Sequence, residues 1–250
     1  MSQLQRIAIS LNQLQDNRIV LAKEQHHYLA RVLRLNNGDK FIAIDGTGKW
    51  WLCKLQDEYG EVIEALEVKT ELPASIILLL ALPKGNGFDE VVRVCTELGV
   101  DKIVPVISTR TLLNPSSQKL ERWRRIATEA AEQSERAFVP MIYEPVSLKA
   151  GLSLFEAEHK YICEGRGDYP HLLECWRQRV ASQNQITVVV AIGPEGGWSQ
   201  EELEVAVNEG FQGVSLGRRI LRAVTAPVVA LSILAAELES NTEFDPPNPA

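Results

Sequence analysis

Residues 192–203 read IGPEGGWSQEEL and bring glycines, a serine and three glutamates together where they could do chemistry. Gly193, Gly196 and Gly197 lie between a β-branched run, QITVVVA (185–191), and an acidic helix start. A glycine turn between strand and helix usually presents free N–H groups to phosphate. Here Glu195, Glu201 and Glu202 crowd the same helix mouth. Ser199 and Glu202 form S-x-x-E, a capping box in which the mouth satisfies its own donors. The first-turn acids also complement the helix dipole. A bound phosphate is therefore disfavoured, and the turn contains neither a Walker loop nor G-x-G-x-x-G. It suits close backbone approach to something uncharged or cationic, and an adenosine bearing a sulfonium fits. A tight turn with glycines for backbone geometry alone is the competing reading.

A second turn adds to the first. LGRRILRAVTAPVVALSIL (216–234) begins at the end of a short strand. Gly217 can bring backbone close to a ligand, and Ile220 and Leu221 can flank a flat ring. Arg218, Arg219 and Arg222 place three cations within five residues. The helix that follows is apolar on nearly every face and must be buried on more than one side. Thr225 is placed to be its N-cap, which makes Pro227 tolerable in the first turn.

The elements that must position these turns change texture near residues 70–74. Before that point segments are short and rich in turn signals. FIAIDGTGKWWLCKL (41–55) carries alternating runs around Asp45-Gly46-Thr47-Gly48, a hairpin signature. KEQHHYLARVLRL (23–35) reads as a short helix between strands. The pattern suits a small β-barrel or compact sheet. After Pro73, apolar strands at 75–82, 102–108, 159–164, 186–192 and 213–217 alternate with helices near 87–98, 119–136, 169–181, 199–209 and 226–239. That alternation predicts a mostly parallel α/β sheet covered on both faces, with ligands at the carboxyl ends of its strands.

Composition narrows the class. The chain has 250 residues, 26 basic and 33 acidic, for a net charge of −7. Such a balance argues against indiscriminate phosphate binding, so any nucleic-acid contact must come from a local basic patch. No apolar run reaches membrane-spanning length, and MSQLQRIAIS lacks the charged start and apolar core of a signal peptide, which predicts a cytoplasmic protein with no membrane partner. The four cysteines lie far apart without a Cys-x-x-Cys pair, so neither a disulfide framework nor a metal site is expected. The acidic, proline-rich residues 241–250 are expected to be disordered.

At the two glycine turns the chain resembles the SPOUT-type ribosomal RNA uridine N3-methyltransferases that act on 16S rRNA. The likeness also covers HHYLARVLRLNNGDKFIAIDGTG (26–48), which resembles that family's N-terminal PUA-like domain. It extends to LALPKGNGFDEVVRVCTELGVDKIVPVIS (80–108) and ERWRRIATEAAEQSER (121–136). The resemblance implies a PUA-like RNA-binding β-barrel over residues 1–72 and a SPOUT α/β-knot methyltransferase domain over 73–240. It implies a trefoil knot, S-adenosylmethionine bound within it, and a homodimer with the final helix in the interface. It assigns cofactor contacts to Leu82, Ile192, Gly193, Gly196, Leu216, Gly217, Ile220 and Leu221. One departure stands out: family members often carry Thr-Glu where this chain has Ala223-Val224.

Methylating uracil at N3 requires removal of its proton and stabilisation of the resulting anion, as an oxyanion donor would do. Arg222 is the first choice for that guanidinium, with Glu195 as proton acceptor or cofactor orienter. Arg31 and Arg34, on one helical face, and Lys84 near the rim are candidate RNA contacts. Trp50 and Trp51 could stack on a base, although neighbouring strand residues face opposite ways and at least one should be core. The arginines of the long helix are expected to pair with glutamates at i,i+4 spacing, Arg136 with Glu132 among them. Competing readings are an RNA-binding protein of this fold without catalysis, a methyltransferase with another RNA target, and a small-molecule enzyme on a dinucleotide-type scaffold.

Overall fold

The structure is a computed structural model that describes residues 4–85, 87–111, 115–178 and 186–240. The tail expected to be disordered, 241–250, lies outside the described residues. The chain forms two compact units. The first runs to Glu71 and takes up Thr128–Val139 as well; the second comprises Leu72–Ala127 and, among the described residues, 140–240.

The first unit contains strands β1 (Arg6–Ala8), β2 (Leu14–Gln15) and β3 (Arg18–Val20), helix α1 (Lys23–His27), and strands β4 (Lys40–Ile44), β5 (Trp50–Gln56) and β6 (Tyr59–Leu66). They form a six-stranded sheet in the order β1-β4-β5-β6-β3-β2, with β1 parallel to β4 and the other pairs antiparallel. The expected hairpin joins β4 to β5. Asp45 closes it by accepting from the N–H groups of Thr47 and Lys49 at 2.8 and 3.0 Å. Gly46 and Gly48 supply the left-handed backbone there, at φ 68° and 104°.

Three expectations for this unit need correction. Trp50 and Trp51 are both buried, so neither offers a stacking face. The alternation is as expected, but both faces of β5 are covered. Trp51 packs with Ile7, Ile19 and Phe41, and Trp50 packs with Ile42, Ile44 and Ala137. Arg31 and Arg34 do not share a helical face. After α1 the backbone widens into a π turn over Tyr28–Val32, and Arg34 lies beyond it at φ 58°, where the Leu35 N–H turns back to the Leu29 carbonyl. Arg136 does not pair with Glu132. The long helix stops at Gln133 and Glu135 adopts φ 60°, which takes Arg136 off the helix face. Arg136 is buried against Glu71 at 2.6 Å, and Glu132 accepts from the Ala8 N–H.

The second unit runs β7 (Ala74–Ala81), α2 (Gly87–Glu97), β8 (Lys102–Ile107), α3 (Ser117–Gln133, whose last turns belong to the first unit), β9 (Met141–Ile142) and β10 (Val146–Ser147). It continues with α4 (Leu148–Leu152), β11 (His159–Cys163), α5 (Leu172–Arg177), β12 (Ile186–Ile192), α6 (Gln200–Asn208), β13 (Gln212–Val214) and α7 (Ala226–Ser240). The seven-stranded sheet has the order β10-β8-β7-β12-β11-β13, with β9 beside β8, and every pairing is parallel. The aliphatic runs of β7 and β12 are central and buried on both faces, as parallel strands covered by helices must be. Helix α7 packs on β7, β12, α2 and α5, which accounts for its nearly uniform apolarity. Arg177 and Glu237 tie α5 to α7 through two parallel hydrogen bonds of 3.0 and 2.6 Å. Among the described residues no helix is long and apolar enough to cross a membrane.

Candidate functional site

Because the sheet is parallel, its carboxyl ends share one edge. The loops after β8, β11, β12 and β13 all contribute to one cleft of about 510 Å³ there, lying wholly within the second unit. The volume is that of a site for a small organic ligand.

The first glycine turn is the floor of this cleft. β12 ends at Ile192, and the Gly197 N–H closes a turn on the Pro194 carbonyl at 2.8 Å, with Gly197 at φ 68°. Gly193 sits close against the Trp198 indole: a Cβ there would stand 3.1 Å from the ring. The Trp198 N–H in turn donates to the Cys163 carbonyl at 3.1 Å, binding the turn to the end of β11. The capping box forms as the sequence predicts. Ser199 Oγ accepts from the Glu202 N–H at 3.2 Å, and the Glu202 carboxylate accepts from the Ser199 N–H at 2.8 Å.

The second turn is the opposite wall. Gly217 adopts φ 121°, and Ser215 Oγ both accepts from its N–H and donates to its carbonyl at 3.1 Å. The next residues project outward, leaving Ile220 exposed at 66%. A Cβ on Gly165, in the loop after β11, would stand 3.2 Å from Ile220 Cδ1. The two loops therefore nearly touch across the cleft.

Most of the expected site residues meet here. Ile192, Gly193, Gly196, Leu216, Gly217, Ile220 and Leu221 line the cleft, and so does Glu195. Leu82 is buried after β7 and does not line it. Lys84 is exposed, and its N–H donates to Glu195 Oε1 at 2.9 Å, which brings the β7 loop against the glycine turn. Arg222 is exposed and outside the lining; its carbonyl accepts from Thr225 and Ala226 as the chain enters α7. Ala223 is buried and lines the cleft, while Val224 packs against Gly87.

The cleft thus offers backbone from two turns and side chains of both signs. A family model described as an RNA methyltransferase domain matches residues 70–235, and one described as an RNA methyltransferase PUA domain matches residues 21–62. The chain belongs to the RNA methyltransferase domain family. It is 44% identical over 240 residues to the ribosomal RNA small subunit methyltransferase E of Synechocystis sp., covering 94% of this chain and 78% of that one. The Bacillus subtilis protein of the same name is 29% identical over 227 residues, covering 86% and 89%. A crystal structure of a ribosomal RNA small subunit methyltransferase E from Neisseria gonorrhoeae, bound to S-adenosyl methionine, superposes with a TM-score of 0.82 at 27% identity, over 94% of this chain and 98% of that one.

Within this RNA methyltransferase, three parts of the site are not found by reasoning from the sequence. Trp198 is one, although a large aromatic directly after a glycine pair is a signal for ring-on-backbone packing. Arg110, in the loop after β8, reaches the Gly196 carbonyl with Nη1 and lines the cleft. The loop 164–169 brings Glu164, Arg166 and Tyr169 to the opposite side. Cys163 also lines the cleft, but its thiol is no nucleophile. Burial, with the Glu164 charge adding to it, pushes that thiol up to about 12.

Proposed function

We propose that this protein transfers a methyl group from S-adenosylmethionine to N3 of a uridine in small-subunit (16S) ribosomal RNA. The observation that carries the reading is the convergence of the two glycine turns on one cleft at the carboxyl edge of the sheet. The residues fit the cofactor. Gly193 and Gly196 leave room that a Cβ would fill, against Trp198 and Arg110 respectively. Walls carrying Glu164 and Glu195 together with Arg166 and Arg219 suit a ligand that bears a sulfonium, an ammonium and a carboxylate. The names of the relatives support the RNA target, and the ligand of the superposed Neisseria structure supports the cofactor.

When bound, S-adenosylmethionine supplies an activated methyl group. The chain's own work is then positional and electrostatic. The backbone at Gly193, Gly196 and Gly217 would hold the adenosine, with Ile220 and Leu221 against its ring. Glu195, anchored through Oε1 by the Lys84 N–H, would use Oε2 to accept the N3 proton. A guanidinium at the cleft would hold the charge that spreads over the uracil oxygens. The buried, protonated Cys163 argues for direct attack by the ring nitrogen over a thiol adduct.

The remaining assignments belong to the same reading. Residues 1–72 would be the PUA-like RNA-binding β-barrel, with Arg31 and Arg34 on RNA phosphates. Residues 73–240 would form the SPOUT domain with its trefoil knot, with Lys84 touching RNA at the rim. Two copies would pair as a homodimer through α7, which leaves Ser232, Ala236 and Glu239 exposed along one side. The enzyme would work in the cytoplasm, where its rRNA target is found. Mass mapping of rRNA modifications with and without the gene tests the function. Loss of one methylated uridine in 16S rRNA is the expected result, and retention of every uridine methylation would overturn it.

A further inference from the structure

Three arginines line the cleft: Arg110, Arg166 and Arg219. Only Arg110 among them has a side-chain hydrogen bond to the glycine turn, donated by Nη1 to the Gly196 carbonyl. Its aliphatic stem lies against the same residue, since a Cβ on Gly196 would stand 3.0 Å from Arg110 Cδ. The loop that carries it is fastened from behind. The Thr109 N–H donates to Glu202 at 2.7 Å, and Thr111 Oγ1 is 2.8 Å from Ser108 Oγ. An arginine has five N–H donors in a rigid fork. One is engaged on Gly196, and four remain at the mouth of the cleft on an exposed side chain whose direction is set by that bond and by its contact with Gly196.

Fixed direction is what separates a stabilising cation from a surface charge. A donor that need not reorganise when charge develops is worth far more than a mobile one. Arg222, the sequence-based choice, is exposed outside the lining and held only through its backbone. We infer that Arg110 is the residue whose guanidinium receives the negative charge of the acceptor base as its ring nitrogen loses a proton and attacks the methyl carbon. The inference rests on the methyltransferase reading above and adds to it the cation and its mode of positioning. In the step, the new N–CH₃ bond forms as the C–S bond breaks with its electron pair moving to sulfur. The N3 proton leaves to a carboxylate or water, and Arg110 keeps its own protons throughout.

The test uses the full chain, radiolabelled S-adenosylmethionine and bacterial small ribosomal subunits lacking the modification. Turnover, the pH profile and cofactor affinity by calorimetry are measured for Arg110→Ala, Arg110→Lys, Arg222→Ala and the unaltered protein. Arg110→Ala should lower kcat about 100-fold and change cofactor affinity by less than about threefold, the range of context scatter around a lost exposed contact. The pH at which its rate levels off should rise by about 1 unit or more, because a cation beside the base no longer favours its anion. Arg110→Lys should recover part of the turnover, since it restores the charge without the fork. A pH profile that shifts in Arg222→Ala and not in Arg110→Ala would return the role to Arg222 and overturn the inference. Undiminished turnover in Arg110→Ala, an unmoved pH profile, or a loss fully matched by weaker cofactor binding would overturn the inference alone. No transfer by the unaltered protein would sink the methyltransferase reading and this inference with it.

Discussion

Glu202 and Thr109 lie 93 residues apart in sequence and meet at 2.7 Å, where the Thr109 N–H donates to Glu202 Oε1. The other carboxylate oxygen accepts from the Ser199 N–H. One buried side chain therefore caps α6 and fastens the loop after β8 to the glycine turn. The Ser199 and Glu202 N–H groups are thereby taken, and the acids of the first turn, Glu201 and Glu202, disfavour a phosphate beside them.

Removing that carboxylate should loosen both ends. Glu202→Ala takes away half of the capping box and leaves the Thr109 N–H without its acceptor, and should cost about 2–3 kcal/mol. Glu202→Gln keeps an amide oxygen that can serve one of the two donors and should cost about half as much. Urea denaturation of the purified variants measures the difference. Equal stabilities for the two would mean that the second acceptor contributes nothing.

The glycines of the turn are required for different reasons. Gly193→Ala places a methyl within 3.1 Å of the Trp198 ring, which cannot move without breaking its bond to Cys163. The expected cost is about 1–3 kcal/mol of stability, with a loss of cofactor affinity. A Cβ on Gly197 would meet nothing within 4 Å, but the residue sits at φ 68°. Gly197→Asn should therefore be tolerated better than Gly197→Val, because Asn visits left-handed backbone and Val does not. Thermal melts and calorimetry with S-adenosylmethionine would separate the steric from the conformational requirement.

Val224 stands where many relatives by resemblance carry an acid, and here its Cγ1 lies 2.6 Å from where a Cβ on Gly87 would be. Gly87→Ala alone should cost about 1–3 kcal/mol by overpacking. Combining it with Val224→Ala should return much of that, giving a coupling of about 0.5 kcal/mol or more in the double-mutant cycle. Strict additivity would show that the two residues do not touch in solution.

How much of this was legible in the sequence follows from the range of each interaction. The capping box and the hairpin at Asp45 are set within a few residues, and local spacing announces both. The parallel sheet was legible because strands covered on both faces must be aliphatic throughout. The partners of the glycine turn were not legible. Arg110 reaches Gly196 across 86 residues and Trp198 reaches Cys163 across 35, and neither pairing leaves a periodic trace. The same holds for Arg136. Its i,i+4 glutamate was visible, but the left-handed backbone at Glu135 that removes it from the helix face was not.

Cys163 lines the cleft, yet burial holds its thiol near 12, far above the pH of any physiological assay. Cys163→Ala should therefore keep turnover within about threefold of the unaltered protein, the small loss reflecting packing and not chemistry. Cys53 and Cys95 are buried with thiols raised to about 12 as well. Native protein at pH 8 should react with a maleimide much more slowly than unfolded protein does. A loss of turnover in Cys163→Ala comparable to that of a true nucleophile would reopen covalent catalysis.

Glu132 provides a test in the first unit that is independent of catalysis. Its carboxyl is raised above the ordinary value of 4.5, chiefly by burial; the Ala8 N–H works against the rise, and the charge of Glu129 adds to it. A carboxyl raised in the fold is easier to ionise once unfolded. Below about pH 4 both states hold the proton and nothing is lost. As pH climbs past 4.5 the unfolded chain releases its proton first, and stability falls until the folded carboxyl also ionises. Glu132→Gln keeps an oxygen to accept from Ala8 and has no proton to lose. Its melting temperature relative to the unaltered protein should therefore increase as pH rises through this window, then hold level. A relative melting temperature that instead declines with pH would mean that the ionised carboxylate is favoured by the fold, and that the Ala8 bond outweighs the burial.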